Sequence, residues 1–305
     1  MKSCHTKLHN MKLYLSPFRD PYRNLSLEQI LYRRGEEAVY LWVNDPCVVI
    51  GRHQNPFRET DLTWLNEHGI VLVRRFSGGG AVYHDPGNLN YTWISRDSDP
   101  AGILTLIQSV LSSVGIHAVP GGRNDLLVGN QKVGGMASQQ DRVCLHHGTL
   151  MVKVDLDAMN RALRPAPLKL RTKGISSVRA RVANLSEFTP DLTVQQLIEA
   201  FRETLGTKEI PPVVTPDVLA LEEELQSPDW LYGESPDYDL FLERLLNGSI
   251  YQFELKIVRG RISDIAIHTD ALDPLDLSPL KLQLQGIPFN ELSFDRLLNQ
   301  SRINE

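Results

Sequence analysis

Cysteine is scarce in this sequence, and its placement excludes two kinds of site. The 305 residues include three cysteines, Cys4, Cys47 and Cys144, which are odd in number and far apart. Such a set supports neither a disulfide framework nor the clustered spacing of a zinc site. We therefore expect the protein to work in a reducing compartment.

Long apolar runs are also missing. No window approaches the roughly 18 consecutive apolar residues that a membrane span needs. The N-terminal stretch carries Lys2, Lys7, Lys12 and Arg19 before its first acid at Asp20, but it is too short and too poor in arginine for a targeting leader. The sequence predicts a cytoplasmic protein with no membrane partner, and the mitochondrial matrix is the alternative location.

The sequence has no excess of positive charge. A net charge of −5, from 32 basic and 37 acidic residues, removes the cationic field that nucleic-acid binders use to hold phosphate backbones. Neither the G-K-S/T end of a P-loop nor a G-x-G-x-x-G fingerprint occurs. Nucleic acid is therefore not an expected partner, and a nucleotide site would need a different construction.

The length and the apolar patterns predict the fold class. Because one core stops growing at roughly 250 to 300 residues, we expect a large domain over residues 1–246 and a small α+β accessory domain over residues 247–305. Apolar residues recur at helical spacing after Asn24 and over residues 100–114. Residues 38–50 form two apolar runs around an Asn-Asp-Pro breaker, which is typical of a strand hairpin. The mixture predicts an α/β (α+β) protein.

Residues 74–85, RRFSGGGAVYHD, combine two arginines with three successive glycines. Glycines adopt backbone conformations closed to other residues, so the amides of such a turn can converge on an anion. The arginines add forked donors that suit phosphate or carboxylate. The motif predicts a phosphate cradle, and the alternative is a flexible turn with two solvated arginines.

A second motif places a lysine across a short hairpin from an aspartate. Gly129-Asn130 suits a tight turn, so Lys132 on the second strand is expected to face the same cleft as Asp125. The alternative is an exposed strand lysine. The two glycines at positions 134 and 135 weaken that alternative, because glycine inside a strand often marks a close approach.

Two further segments are candidates for the same site. Adjacent strand residues point to opposite faces, so we expect one of His146 and His147 to be buried and hydrogen-bonded and the other to lie near the cleft. No other His or Cys has the spacing that a metal centre would need. Residues 173–181, KGISSVRAR, form a polar cationic loop whose alternative reading is a solvated surface.

Taken in order, these motifs resemble one known family. The segments RRFSGGGAVYHDPGNLNYT, GRNDLLVGNQKVGG, HHGTLMVKVDL and KGISSVRARVANL resemble the lipoate-protein ligase A family, as does the preceding IGRHQNP. The resemblance implies a mixed-sheet catalytic domain like that of biotin- and lipoate-protein ligases, followed by a small α+β C-terminal accessory domain.

The resemblance also implies an activity. Members of the family join lipoate to ATP as lipoyl-AMP and pass the lipoyl group to a lysine of a lipoyl domain, on a 2-oxoacid dehydrogenase E2 subunit or on the glycine-cleavage H protein. We therefore expect a monomeric lipoate-protein ligase with ATP, Mg²⁺ and lipoate as its small molecules and lipoyl-domain proteins as its partners.

The positions that match the family's motifs give the expected site. Lys132 falls on the lysine that contacts both lipoate and nucleotide and is the expected catalytic residue, and Asp125 is the candidate Mg²⁺ ligand. The expected lipoate- and ATP-binding residues are Arg75, Ser77, Gly78, Gly79, Gly80, Ala81, Val82, Tyr83, Asn124, Asp125, Lys132, Gly135, His147, Lys173 and Ser177.

Departures from the family leave alternatives open. Gly134 and Met136 stand where the family commonly has hydroxyl residues, so two possible donors to the adenylate are missing. One alternative is a transferase that uses preformed lipoyl-AMP, or a carrier-bound acyl group through a thioester on Cys144. Another is a non-catalytic lipoate-binding protein.

Overall fold

The computed structural model describes residues 11–96, 100–121, 124–163, 169–172, 182–246, 249–269 and 276–303. The strands are β1 (Lys12–Leu15), β2 (Ala38–Trp42), β3 (Cys47–Ile50), β4 (Val71–Arg74), β5 (Val82–His84), β6 (Asn88–Ser95), β7 (Val119–Gly121), β8 (Asp125–Val128), β9 (Gln131–Gln140), β10 (Cys144–Met151), β11 (Lys169–Thr172), β12 (Glu209–Ile210), β13 (Tyr238–Leu246), β14 (Ser249–Val258) and β15 (Arg261–Thr269). The helices are α1 (Pro21–Arg33), α2 (Pro56–Glu59), α3 (Leu62–Glu67), α4 (Pro100–Ser113), α5 (Leu156–Ala162), α6 (Val194–Leu205), α7 (Pro216–Gln226), α8 (Pro228–Gly233), α9 (Ser278–Leu284) and α10 (Glu291–Ile303).

Local sequence specifies the ends of several helices. The Asp20 side chain caps α1 by accepting a first-turn amide hydrogen, and Pro21 occupies the first helical position. Thr193 and Gln196 form a capping box at the start of α6, which ends at Gly206 in the left-handed region. Among the described residues, no helix combines the length and the apolar character that crossing a bilayer requires.

The main sheet has helices on both faces. Its strand order is β12-β1-β2-β6-β10-β9-β8-β7; β1 is parallel to both neighbours, and the other pairs are antiparallel. Side chains along β2 alternate between the two faces of the sheet. Val39 and Leu41 pack with α4 and α6 on one face, and Tyr40 and Trp42 pack with α1 and α7 on the other. The predicted α/β (α+β) class is confirmed.

A smaller sheet lies beside the main one, and it corrects one prediction. β3 pairs in parallel with β4 and antiparallel with β5, whereas β2 belongs to the main sheet. The hairpin predicted over residues 38–50 is therefore wrong in its pairing, although both strands exist. The Asn44 side chain is buried and accepts a hydrogen bond from Asn24, while Asp45 and Pro46 are exposed, so the breaker is a crossing between sheets that is packed at its first residue.

The C-terminal unit has its own sheet and core. Its strand order is β11-β13-β14-β15, and α9 and α10 cover one face through residues such as Leu280, Phe294 and Leu298. Phe57 from α2 packs into the same core. β13 lies before the predicted division at residue 246 and pairs with β14 after it. β11, from the middle of the chain, joins this sheet, which no local pattern indicated.

Arg74 connects the end of β4 to the segment that leads into the C-terminal unit. The side chain is fully buried, and its guanidinium donates to the hydroxyl of Ser235 at 2.8 Å. It also donates to the carbonyl oxygens of Gly51, Arg52, Gln54, Trp230 and Leu231. The Trp230 indole returns a hydrogen bond to the Arg74 carbonyl at 2.9 Å. A single side chain thus fixes α8 against the loop after β3.

Replacing Arg74 with methionine is expected to lower the free energy of unfolding by about 3 kcal/mol or more, because several buried carbonyl oxygens lose their donor. Urea unfolding followed by circular dichroism measures this. The control is Arg33→Met at an exposed position of α1, with an expected change below about 1 kcal/mol. Equal stability of the two variants would contradict the role assigned to Arg74.

Candidate functional site

A cleft of about 350 Å³ lies across the strands of the main sheet. Its floor includes a row of cross-strand partners, Trp42, Asn90, Thr149, Gly135 and Asp125, each opposite the next. Partners in an antiparallel pair point to the same face, and neighbouring strands are about 4.8 Å apart, so the row is roughly 19 Å long. The cleft therefore runs from β2 to β8, perpendicular to the strands.

A β-bulge sets which residues of β9 reach this row. The pairing of β8 with β9 shifts by one residue at Val133, which is buried in the core. Without the shift, Gly134 would stand opposite Asp125; with it, Gly135 does. A Cβ at Gly135 would lie 3.3 Å from Cε of Lys132. The bulge thus places Gly135, which has no side chain, beside Lys132.

An ion pair occupies the β8 end of the cleft. Nζ of Lys132 lies 2.7 Å from Oδ1 of Asp125, and the two side chains are 27% and 35% exposed. This distance confirms that the two residues face one cleft across the hairpin. The Lys132 carbonyl accepts the Ala183 amide hydrogen at 3.0 Å, so the lysine backbone is held on its other side. A cation and a carboxylate are therefore both accessible to a ligand here.

The residues that depart from the family's pattern lie close by. A Cβ at Gly134 would collide with the carbonyl oxygen of Thr149 on β10, so the approach of the two strands leaves no room for a side chain. Met136 lines the cleft. At position 134 the strand spacing excludes a hydroxyl side chain, and at position 136 the cleft is lined by a thioether instead of a hydroxyl.

Arg75 holds the glycine turn, residues 77–80, from inside. Its guanidinium donates to the carbonyl oxygens of Gly78 at 2.7 Å, Gly80 at 2.8 Å and Val49 at 3.1 Å. Burial lowers the pKa of Arg75 to about 10, and the Glu28 carboxylate opposes this by raising it. Arg75 lines the cleft, but these hydrogen bonds go to the backbone of the turn and of β3.

The turn requires glycine at two positions. Gly79 has φ of 94°, and a Cβ there would lie 2.7 Å from Nη2 of Arg75. A Cβ at Gly51 would collide with the Gly79 carbonyl oxygen. In a trans peptide the C=O and the following N–H point in opposite directions. Since Arg75 draws in the carbonyls of Gly78 and Gly80, the amides that follow them point away from the guanidinium.

A chain of buried polar groups lies beneath the turn. Oγ of Ser77 is 2.8 Å from Nε2 of His147, and Nδ1 of His147 is 2.8 Å from Oε1 of Glu28. Oε1 also accepts from the Thr92 hydroxyl at 2.6 Å. The Trp42 indole donates to that hydroxyl at 3.2 Å. Helix α1, strands β2, β6 and β10 and the turn are therefore linked through hydrogen bonds.

The β2 end of the cleft is aromatic and apolar. Trp42 meets the His84 ring edge to face at 5.7 Å, and Leu25, Val49 and Val82 complete this end. Burial lowers the pKa of His84 to about 3, with smaller contributions from nearby Arg75 and His147, so the ring is neutral near pH 7. One end of the cleft thus carries the Lys132–Asp125 pair and the other presents aromatic and apolar side chains, which suits a carboxylic acid with an apolar tail.

The structure brings most of the expected site residues to the cleft. The expected residues that line it are Arg75, Gly79, Gly80, Ala81, Val82, Asn124, Asp125, Lys132, Gly135 and His147. Ser77, the first residue of the turn, is fully buried. The Gly78 carbonyl accepts a hydrogen bond from Arg75, and Tyr83 packs into a core on the far side of β5. Lys173 and Ser177 lie outside the described residues.

Sequence reasoning missed several residues of the site. The missed residues include Glu28, Trp42, Asn90 and Thr149. A signal existed for Asn90, which lies in β6 between the apolar residues Leu89 and Tyr91. One histidine of the pair was expected to be buried and hydrogen-bonded and the other to lie near the cleft. His147 meets both expectations, because it is buried, hydrogen-bonded and part of the cleft wall. His146 is buried as well.

Metal ligands are few in this region. No group of three or more His, Cys, Asp or Glu side chains has metal-binding geometry within the described ranges. Asp125 already pairs with Lys132. Because Mg²⁺ is usually held by one or two carboxylates together with substrate phosphates, one carboxylate fits an ion that arrives with a nucleotide, and it does not fit a permanent protein-bound metal.

Comparison with known proteins identifies the family. Residues 20–206 match the family model "Lipoyl protein ligase A/B catalytic domain", and residues 235–305 match "Bacterial lipoate protein ligase C-terminus". The lipoate-protein ligase A of Psychrobacter cryohalolentis is 35% identical over 92% of this chain and 89% of its own length. That of Blochmanniella pennsylvanica is 37% identical over 93% and 90%.

Solved structures agree with these relatives. P. falciparum LipL1 in complex with lipoate has a TM-score of 0.68 at 26% identity, over 95% of this chain and 94% of that one. A lipoate-protein ligase A bound with ATP has a TM-score of 0.58 at 26% identity, over 70% and 94%. The bipartite ligase of Thermoplasma acidophilum, described with its E2 lipoyl domain, scores 0.58 at 27% identity, over 73% and 96%. By sequence along nearly its whole length and by fold, this chain belongs to the lipoyl protein ligase A/B family.

Proposed function

We propose that the protein is an ATP-dependent lipoate-protein ligase, which forms lipoyl-AMP from lipoate and ATP and passes the lipoyl group to a lysine of a lipoyl domain. The observation that carries the proposal is the polarity of the cleft. Lys132 and Asp125 lie at one end, Trp42 with its apolar neighbours lies at the other, and the glycine turn also lines the cleft. Lipoate has the same polarity, a carboxylate at one end and an apolar ring at the other.

The ligands of the relatives support this proposal. The LipL1 structure contains lipoate and the ligase A structure contains ATP. In this chain the lipoate carboxylate would lie near Lys132 and the dithiolane ring would lie toward Trp42. The roughly 19 Å row from β2 to β8 leaves room for the α-phosphate beyond the carboxylate. The adenylate would then meet Asn124 and Asp125, which line the β8 end.

The first half-reaction joins two negatively charged groups. A carboxylate oxygen of lipoate attacks the α-phosphorus of ATP, the bond to the bridging oxygen of pyrophosphate breaks, and lipoyl-AMP and pyrophosphate form. Such a reaction needs fixed cations and oriented amides around the phosphoryl group. Lys132 supplies the accessible ammonium group, and the outward amides of the glycine turn supply oriented dipoles. Asp125 would help to hold Mg²⁺, which would neutralise charge on the leaving pyrophosphate.

The second half-reaction needs no nucleophile from the enzyme. The neutral amine of the acceptor lysine attacks the carbonyl carbon of lipoyl-AMP, AMP leaves with the bonding electron pair, and the amine loses a proton as the amide forms. Lys132 donates to the oxygen that becomes negative during the attack. The Thermoplasma ligase has an E2 lipoyl domain as its partner, and we propose acceptors of that class here. Cytoplasmic location and a monomeric state complete the proposal.

The thioester alternative depends on a reactive cysteine. Cys144 and Cys47 are both buried, neither is among the residues that line the cleft, and burial raises the pKa of the Cys47 thiol. A transferase nucleophile needs a low pKa and access to its substrate. The geometry therefore favours the adenylate mechanism.

Replacing Lys132 with methionine is expected to lower the rate of acceptor modification at least about 100-fold, because the cation that stabilises both transition states is lost. The assay combines protein, ATP, Mg²⁺, lipoate and an apo lipoyl domain, and intact-mass spectrometry follows the acceptor. The matched control is Lys153→Met, at an exposed position after β10. If the wild-type protein leaves the acceptor unmodified, the chain is a binding protein and the proposal is wrong.

Chelation separates the two half-reactions. With EDTA in excess over Mg²⁺, formation of lipoyl-AMP from ATP is expected to fall by about 100-fold or more, while transfer from supplied lipoyl-AMP stays within about twofold. Both rates are measured by mass spectrometry of the adenylate and of the acceptor. Equal loss of both steps would show that the metal does not act on the leaving pyrophosphate.

Replacing Cys144 with alanine is expected to leave acceptor modification within about threefold of the wild type, because the thiol is buried outside the cleft and takes no part in the adenylate route. The melting temperature is measured in parallel. Loss of turnover in a variant with unchanged melting temperature would favour the thioester transferase.

A further inference from the structure

A carboxylate lies where α1 packs against the sheet. Glu28 is fully buried, three residues after Leu25, which lines the cleft. A buried carboxylate is expensive unless hydrogen bonds and charges compensate it. Oε1 of Glu28 has such compensation from His147 and Thr92, while the buried Oε2 has no hydrogen-bond partner among the described residues. The contact with His147 connects Glu28 to the cleft wall, which His147 helps to form.

The acceptor-only character of Glu28 fixes the direction of the hydrogen bonds around it. A carboxylate cannot donate, so His147 carries a proton on Nδ1 and Thr92 donates its hydroxyl hydrogen. In the tautomer that carries its proton on Nδ1, Nε2 accepts and the Ser77 hydroxyl donates to it. The Ser77 hydroxyl therefore points at His147 because Glu28 sets the tautomer.

Ser77 is the first residue of the glycine turn, and it is anchored twice. Its side chain bonds to His147 at 2.8 Å, and its carbonyl accepts the Arg52 amide hydrogen at 2.9 Å. The side chain is fully buried, so Ser77 is not placed as a nucleophile, although Ser, His and Glu follow one another as in a hydrolase triad. The chain of hydrogen bonds from Glu28 therefore ends at the first residue of the turn.

A second link from Glu28 reaches the same turn. Burial lowers the pKa of the Arg75 guanidinium, and Glu28 is the carboxylate that raises it. Arg75 holds the later part of the turn through Gly78 and Gly80. The start of the turn is thus connected to Glu28 through hydrogen bonds, and the Glu28 charge favours the charged form of Arg75, which holds the later part.

From these two links we infer that Glu28 is a positioning residue that fixes the glycine turn for nucleotide binding by holding His147 in the tautomer that Ser77 requires. The inference rests on the ligase activity proposed above for its kinetic consequence. Its structural consequence, the order of the turn, does not depend on that activity.

The informative substitution is Glu28→Gln, which keeps the shape of the side chain and removes its charge. A glutamine amide can donate to Nδ1, and the analogous exchange in serine proteases gives the wrong tautomer. We expect kcat/KM for ATP in lipoyl-AMP formation to fall about 10- to 100-fold. This loss is smaller than the one known for exchange of the triad carboxylate in serine proteases. KM for the lipoyl domain should not change. The matched control is Glu222→Gln, which removes the carboxylate that pairs with Arg23 on the opposite part of α1.

Ser77→Ala and the Glu28→Gln/Ser77→Ala double variant test the relay. If Glu28 acts through Ser77, the double variant should be no worse than about twice the poorer single variant. Hydrogen exchange of the peptide that contains residues 77–81 should increase in all three and stay at the wild-type level in Glu222→Gln. ¹⁵N resonances of the His147 ring should show Nδ1 protonated in the wild type and Nε2 protonated in Glu28→Gln.

The outcomes separate the inference from the proposed function. Unchanged exchange and an unchanged His147 tautomer in Glu28→Gln would overturn the inference, and so would fully additive losses in the double variant. If wild-type protein forms no lipoyl-AMP, the proposed function fails, and the exchange and tautomer measurements still decide whether Glu28 positions the turn. Should Glu28→Gln fail to fold, Ser77→Ala alone must raise the exchange of the turn, or the relay is excluded.

Discussion

The site depends on a buried cation that contacts backbone. Arg75 places its guanidinium among the carbonyl oxygens of Gly78, Gly80 and Val49, and this arrangement turns the intervening amides outward. Glycine at position 79 is required because any side chain would collide with the guanidinium. The capacity of the turn to face an anion is therefore a consequence of positive charge behind it, and the accessible ammonium in front is that of Lys132, which is paired with Asp125.

Local patterns predicted the elements of the fold better than their pairing. The helix after Asn24 and the strands around the Asn-Asp-Pro breaker exist as expected, because caps, apolar periodicity and breakers act within a few residues. The partner of a strand is a non-local property. β2 pairs with β6, about fifty residues later, and β11 pairs with β13. No short-range signal distinguishes these partners from a neighbouring strand.

The site shows the same division between local and non-local information. Gly129 and Asn130 fix a two-residue turn, so the proximity of Lys132 and Asp125 followed from sequence. The residue type of Arg75 indicated an anion site, but only the structure shows that its hydrogen bonds go to carbonyl oxygens. Glu28 lies in an apolar helical pattern and gave no signal of its own. Its importance comes from contact with His147, which is 119 positions away.

The row of residues beneath the cleft has a regular spacing. Backbone hydrogen bonds set the spacing at about 4.8 Å per strand, and each strand contributes one residue, of which Gly135 has no side chain. For the proposed ligase, the position of the bulky Trp42 side chain in this row sets how long an acyl tail fits. Exchange of that one group would change the permitted length in fixed steps, while the chemistry at the opposite end of the sheet stays as it is.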